Sequence, residues 1–137
     1  MGTRGYYVFR YKNKWYVFYN HFDSYPSGLG NAIVHELRSI NLEKLKEYIE
    51  NIKDEDVNTG GSAKFTSLIS AVESPNDYCF DFIQDKQTHL EDGDVEYVYT
   101  IDLDNDMFHV EYYTESTKNT QRFGINSIPE DWETFII

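Results

Sequence analysis

Two runs near the start of the chain, residues 5–11 and 15–20, constrain its fold more than any other feature. Tyr, Val, Phe and Trp crowd both runs, and such residues favour the pleated surface of a strand. The residues between them are polar, and Asn13 tolerates the positive φ that short hairpin turns require. A turn at Asn13-Lys14 pairs Phe9 with Phe18 and Tyr11 with Tyr16. Tyr7, Phe9, Tyr11, Tyr16 and Phe18 then share one face, while Tyr6, Val8, Arg10, Trp15, Val17, Tyr19 and His21 share the other. An antiparallel sheet with one wet face alternates apolar and polar residues. This hairpin does not, so it belongs in the middle of its sheet, covered on both sides or on one side plus a partner.

Helical periodicity follows. Asn31 is placed to cap a helix with Ile33, Leu37 and Ile40 on one face, and Asn41 to cap a second carrying Leu42, Leu45, Ile49 and Ile52. Residues 53–62 are acidic and then glycine-rich, and read as a mobile loop. Phe65, Leu68, Ile69 and Val72 predict a short third helix that stops before Pro75, because the residue preceding a proline is pushed out of helical geometry. Residues 78–83 read as extended and residues 85–94 as a polar connection. Residues 95–103 alternate cleanly, and Phe108, Val110 and Tyr112 resume the period after Asp104-Asn105-Asp106, giving the strongest hairpin signal in the chain. Residues 114–121 read as polar loop and 122–127 as a short strand. Trp132 reads as docked in the core, ahead of an apolar C-terminus.

A chain of 137 residues is expected to form one domain and bury one core without staples. Aromatics at 17% compensate for a hydrophobic fraction of only 40%, since each ring brings a large apolar area. The net charge is −12, but residues 1–20 hold four basic side chains and no acid, which leaves −16 on the rest. An acidic body repels phosphate backbones, so groove binding to duplex DNA is not expected. The acidity reads either as a solvated surface or as attraction for a basic partner. Cys79 is the only cysteine, which rules out an intramolecular disulfide and points to a reducing compartment. No signal-peptide pattern occurs, and no apolar run approaches the roughly 20 residues of a spanning helix. Tyr6 stands where a myristoylation start requires Ser or Thr. The expectation is a soluble cytoplasmic protein that does not engage a membrane.

The stretch from Tyr19 to Gly30 packs polar, aromatic and turn-forming residues between the hairpin and the first helix. Loops held on rigid elements are where binding groups tend to sit. His21 titrates near neutral pH and Asp23 is spaced to orient it, which makes the two the catalytic candidates. Asn20, Ser24 and Tyr25 add hydrogen-bonding groups, and with Arg4, His21 and Asp23 they form the candidate ligand-binding set. Pro26, Gly28 and Gly30 fix an unusual backbone path, with amides facing out at the start of the following helix as an anion site. The bland alternative is a stiff strand-to-helix connection in which Asp23 and Ser24 satisfy turn amides.

Other patterns carry less. Asp102-x-Asp104-x-Asp106 begins like a calcium loop, but Met107 replaces the sixth-position Gly and Tyr113 the twelfth-position Glu. Arg10, Tyr11, Lys12, Lys14, Trp15 and Tyr16 interleave cations with rings, as single-strand nucleic-acid platforms do, although buried sheet aromatics beside a basic turn look the same. His21, His35, His89 and His109 lie at no metal-ligand spacing, so no metal and no cofactor are expected. No phosphate-binding loop, dinucleotide fingerprint or nucleophile elbow is present. Tyr78 and Phe80 beside Cys79 suggest an inert buried thiol.

Met1-Gly2-Thr3-Arg4-Gly5, the segment Asn20-His21-Phe22-Asp23-Ser24-Tyr25-Pro26-Ser27-Gly28-Leu29-Gly30, and Tyr99-Thr100-Ile101-Asp102-Leu103 with Phe108 together resemble an uncharacterised family of giant DNA viruses and fungi. The likeness to some bacteriophage proteins is looser. The resemblance spans most of the chain, is most specific over residues 1–30, and implies an intracellular setting, in host cytoplasm or a virion, without implying an activity. The opening strand, hairpin and polar loop are also similar to the start of N-terminal nucleophile hydrolases. Those enzymes need Cys, Ser or Thr as the first mature residue, where this chain has Gly2 and reaches Thr3 only after loss of two residues.

The expected architecture is a single α+β domain over residues 1–137, with a mostly antiparallel sheet of about five strands and about three helices packed on it. The leading expectation for function is a non-enzymatic binding module whose 19–30 loop, with Arg4, takes a small polar or anionic ligand or a protein partner. The alternatives are a small hydrolase or transferase using His21 and Asp23, and an acidic virion or assembly component that self-associates as a homo-oligomer.

Overall fold

The computed structural model describes residues 3–85, 95–114 and 117–136. Its sheet contains β1 (Gly5–Tyr11), β2 (Lys14–Asn20), β3 (Phe80–Gln84), β4 (Tyr97–Asp102), β5 (Met107–Thr114) and β6 (Thr117–Gly124), in the spatial order β3-β2-β1-β4-β5-β6. All neighbours are antiparallel except β1 and β4, which run parallel and join two meanders into one mixed sheet. Three helices, α1 (Asn31–Leu37), α2 (Leu42–Glu50) and α3 (Leu68–Glu73), connect β2 to β3. The fold is α+β, with six strands instead of about five.

The first hairpin takes two interior positions, β2 and β1, as its two apolar faces require. Tyr7, Phe9, Tyr16 and Phe18 pack with the apolar sides of all three helices and with Trp132. Tyr6, Val8, Trp15 and Val17 form a second buried cluster with Val95 and Val98 on the opposite face. The turn lies one residue earlier than the spacing predicts, at Lys12-Asn13, so Phe9 pairs with Tyr16 and Tyr11 with Lys14. This slip is by two positions in the partner strand, an even number, so every side chain keeps its face.

The physical reason for the turn position lies in another element. Lys12 and Asn13 both take positive φ, at 50° and 63°. Their amides point at the Asp104 carboxylate, with N···O distances of 2.8 and 2.9 Å. Two successive left-handed residues make a small anion-binding concavity, and Asp104 fills it. Asp102 is 1% exposed and accepts from the amides of Asp104 and Asn105, from the Asn105 side chain and from Arg10. Two of the acids that resemble a calcium loop, Asp102 and Asp104, are thus committed to amides and a guanidinium. They fasten the β4–β5 turn to the β1–β2 turn.

Several local readings need correction. Of the residues read as loop at 114–121, Thr114 ends β5 and 117–121 belong to β6, whose polar composition reflects an edge position where only one side of the strand is paired; residues 115 and 116 lie outside the described residues. After Gly124 the backbone turns at Ile125–Ser127 and is no longer strand. Residues 53–62 are hydrogen-bonded and not free, since Asn58 and Ser62 bridge to Phe80 and Tyr78 and the Asn58 side chain donates to the Asn76 carbonyl. Asn31 does not cap α1, because the chain enters the helix earlier; its side chain accepts from Trp132 Nε1 at 3.1 Å and seats the C-terminal segment. Asn41 and Ser67 do cap α2 and α3, and Glu36 accepts from the Leu68 and Ile69 amides at the start of α3. The connection at 85–94 falls, beyond Asp85, outside the described residues.

Asp104→Ala removes a charged acceptor from two left-handed turn amides, so a loss of about 1–3 kcal/mol of stability is expected. Urea unfolding followed by tryptophan fluorescence reads it, and a midpoint equal to wild type would remove the clamp from the account.

Candidate functional site

Asn20 ends β2 and is 2% exposed. Its side-chain amide donates to the Phe22 carbonyl (2.5 Å) and to Ser24 Oγ (2.8 Å), and its Oδ1 accepts from the Phe65 amide (3.0 Å). Ser24 is fully buried; its hydroxyl donates to the Asn20 carbonyl, its amide donates to the Thr3 carbonyl, and its own carbonyl accepts from Tyr99 Oη at 2.6 Å. Burial, then the neighbouring Tyr97, pushes the Tyr99 hydroxyl well above its ordinary range and keeps it a donor. Asn20 and Ser24 are therefore internal fasteners with no free valence for a ligand.

The following glycines answer to space. A Cβ on Gly28 would lie 2.2 Å from the Asp23 carbonyl oxygen, and one on Gly30 would lie 2.6 Å from Trp132 Cη2. Pro26–Gly30 form a π turn in which the Asn31 amide reaches the Pro26 and Gly28 carbonyls. The Gly28 and Leu29 amides donate to Tyr25 and Asp23. The amides expected to face an anion at the helix start are used inside the turn, which corrects the anion-site reading.

The remaining candidates point outward in different directions. His21 is exposed, and its Nδ1 lies 2.7 Å from Tyr19 Oη. No hydrogen bond or ion pair joins His21 to Asp23 among the described residues, and the Ser24 hydroxyl is sealed from solvent, so the hydroxyl within reach of the histidine is that of Tyr19 and no carboxylate orients the ring. Asp23 is exposed, with φ of 48°, a left-handed conformation that costs energy for a residue with a Cβ. It lines a cavity of about 220 Å3 with Asn20, Phe22, Leu29, Lys64 and Phe65. Tyr25 is 39% exposed and lines a separate cavity on the other side of the loop. Arg4 is exposed and lines neither; among the described residues its backbone carbonyl is engaged, by the Glu96 amide, and its side chain is not.

Lys64 carried no signal in the sequence, and Phe65 read as part of the third helix, which starts only at Leu68. Both reach the loop because the Phe65 amide bonds Asn20, across 45 residues of chain, and the His21 amide bonds the Ala63 carbonyl. A further hollow of about 440 Å3 lies between α1 and the C-terminal segment; Asn31, Arg38 and Trp132 in its lining hold that segment in place, and His35, Glu130 and Glu133 line it as well. The basic hairpin is similarly occupied: Arg10 pairs with Asp102 and stacks over Trp15 at 4.7 Å, and Lys12 pairs with Glu50 and lies 5.4 Å from the Tyr11 ring. Cys79 is buried, donates to the Thr59 carbonyl and to Asp81, and its thiol is pushed up to about 12 by burial and then by Asp81.

Among the described residues, no group of three or more His, Cys, Asp or Glu side chains is placed to hold a metal ion, and no helix is long and apolar enough to cross a membrane. No family model, curated protein or solved structure matches the chain.

Asn20→Ala leaves the Phe65 amide without its acceptor and the Phe22 carbonyl and Ser24 Oγ without the amide that donates to them, and is expected to cost about 2–4 kcal/mol in chemical denaturation. His21→Ala, at an exposed site, is expected within about 0.5 kcal/mol of wild type. Equal effects would contradict the division between fasteners and outward groups. Cys79 is expected to resist thiol reagents at pH 8 until denaturant is added, because the thiolate is the reactive form; fast labelling of the native protein would contradict its burial.

Proposed function

We propose that the protein is a non-enzymatic binding module, with the rim formed by Phe22 and Asp23 of the 19–30 loop and by Lys64 as its ligand site. The observation that carries this reading is the 220 Å3 cavity between the loop and residues 64–65, where Asp23 and Lys64 line a pocket that is otherwise apolar apart from Asn20. Small-molecule sites are mostly apolar concavities with a few placed polar groups, and typical volumes start near 300 Å3. A cavity this size suits a ligand of few heavy atoms. No ion pair joins Asp23 to Lys64 among the described residues, so both charges remain for a ligand bearing both signs, such as an amino acid with an apolar side chain. The strained Asp23 backbone supports the reading too, since such strain collects at binding sites when the surroundings enforce it.

The setting follows from the resemblance of residues 1–30 to the giant-virus and fungal family: an intracellular protein of host cytoplasm or virion. The acidic surface supports solubility there and disfavours nucleic-acid phosphates.

Leucine, its amine (isoamylamine) and its acid (4-methylvalerate), titrated in turn and followed by amide chemical shifts, test the site. Leucine is expected to shift the amides of residues 21–23 and 63–65 and to bind at least about tenfold more tightly than either singly charged analogue. Asp23→Ala and Lys64→Ala should each remove that preference while leaving the spectrum folded. Equal binding of all three compounds, or shifts unaffected by both variants, would overturn the reading.

A further inference from the structure

The other side of the same loop presents different chemistry. Thr3, Tyr25, Val95, Glu96, Tyr97 and Tyr113 line a cavity of about 420 Å3, within the range of small-molecule sites. Three of the six are tyrosines and the one ionisable group besides them is a carboxylate. Tyr25 and Tyr113 are 39% and 43% exposed, although large aromatic rings are usually covered. Tyrosine faces carry negative electrostatic potential, and a ring set with one acid is the lining that stabilises an organic cation.

The walls of this cavity are held in place before any ligand arrives. Ser24 bonds Thr3 through its amide and Tyr99 through its carbonyl. Tyr97 stacks on Tyr99 with ring centres 6.3 Å apart and planes 14° from parallel. Tyr25 sits between buried Ser24 and Pro26 with an extended backbone, and Glu96 is fixed by its amide bond to the Arg4 carbonyl. The Glu96 carboxylate is close enough to Tyr97 to help raise its hydroxyl, second to burial. Such preorganisation limits the ordering cost of binding. The body of the chain is strongly acidic, which adds a background attraction for cations. The opposing group is Arg4, next to Thr3 and outside the lining.

We propose that this cavity binds a small free quaternary alkylammonium ion, with Tyr25, Tyr97 and Tyr113 facing its methyl groups and Glu96 balancing its charge. A strongly hydrated metal cation gains little from rings, whereas an alkylammonium carries diffuse charge on an apolar shell and matches both parts of the lining. The site is independent of the Asp23–Lys64 cavity, so either can fail alone.

Choline and its neutral isostere 3,3-dimethylbutan-1-ol separate charge recognition from plain apolar burial. Titrations followed by amide shifts are expected to show choline saturating residues 95–97, 113 and 25, with the isostere at least about tenfold weaker. Glu96→Gln should weaken choline several-fold and leave the isostere unchanged, while Arg4→Ala should strengthen choline. Tyr25→Ala should abolish saturation and Tyr25→Phe, which keeps the ring, should retain it. Equal affinities for choline and the isostere, or unchanged choline binding in Tyr25→Ala, would overturn the proposal. Neither variant touches the Asp23–Lys64 rim, so leucine binding reports separately on that site.

Discussion

The loop at the centre of this molecule depends on one buried amide side chain. Asn20 donates to the Phe22 carbonyl and the Ser24 hydroxyl of its own loop and accepts one backbone amide from a segment 45 residues away. A buried polar group is stabilising only when its partners are made, and costs on the order of 1–3 kcal/mol for each one left unmade. Asn20 is therefore a condition on the loop, on Ser24 and on residues 63–65 together. The His21 amide donates to the Ala63 carbonyl and continues the same seam. Without that seam, Phe22 and Asp23 have no opposite wall and the smaller cavity has no second side.

The same logic operates at both ends of β1. Where β1 and β4 begin, Ser24 bonds Thr3, and Glu96 bonds Arg4. Where they end, Asp102 and Asp104 hold Arg10 and the Lys12-Asn13 turn. Parallel pairing is slightly less stable per residue than antiparallel pairing. The one parallel pair in the sheet is thus reinforced at each end by side-chain or loop contacts, and it is the pair that joins the two meanders. Arg10 is paired in the process and Lys12 pairs separately with Glu50, so two of the four cations of the first twenty residues are committed to carboxylates.

How legible this was in the sequence depended on how local each cause is. The central hairpin, both of its faces, the α2 cap and the termination of α3 before Pro75 rest on spacing and propensity within a few residues, and were readable. The register of the first turn was not, because Asp104 determines it from 91 residues away. β6 was missed because an edge strand has no need of apolar alternation, so its Thr, Lys, Asn and Gln residues look like loop. Asn31 has the composition of a cap and serves instead as acceptor for Trp132, a partner 101 residues distant. In the candidate loop the roles divide: Asn20 and Ser24 are buried and fasten the loop, while Asp23 and Tyr25 are exposed on its two sides.

That mixture is a consequence of how a short loop can be both rigid and functional. Residues that fasten must be buried and those that bind must be exposed, so the two kinds have to alternate along the chain. Asn20 and Ser24 face inward, Phe22 and Asp23 face one cavity, and Tyr25 faces the other. The left-handed φ of Asp23 is what allows the reversal between Phe22 and the buried Ser24, and Pro26 fixes the chain directly after Tyr25. Loops that carry recognition groups on a mobile backbone lose conformational entropy when they bind. Here the buried asparagine and serine have already imposed that order, so the outward groups on both sides of the loop start from one defined arrangement.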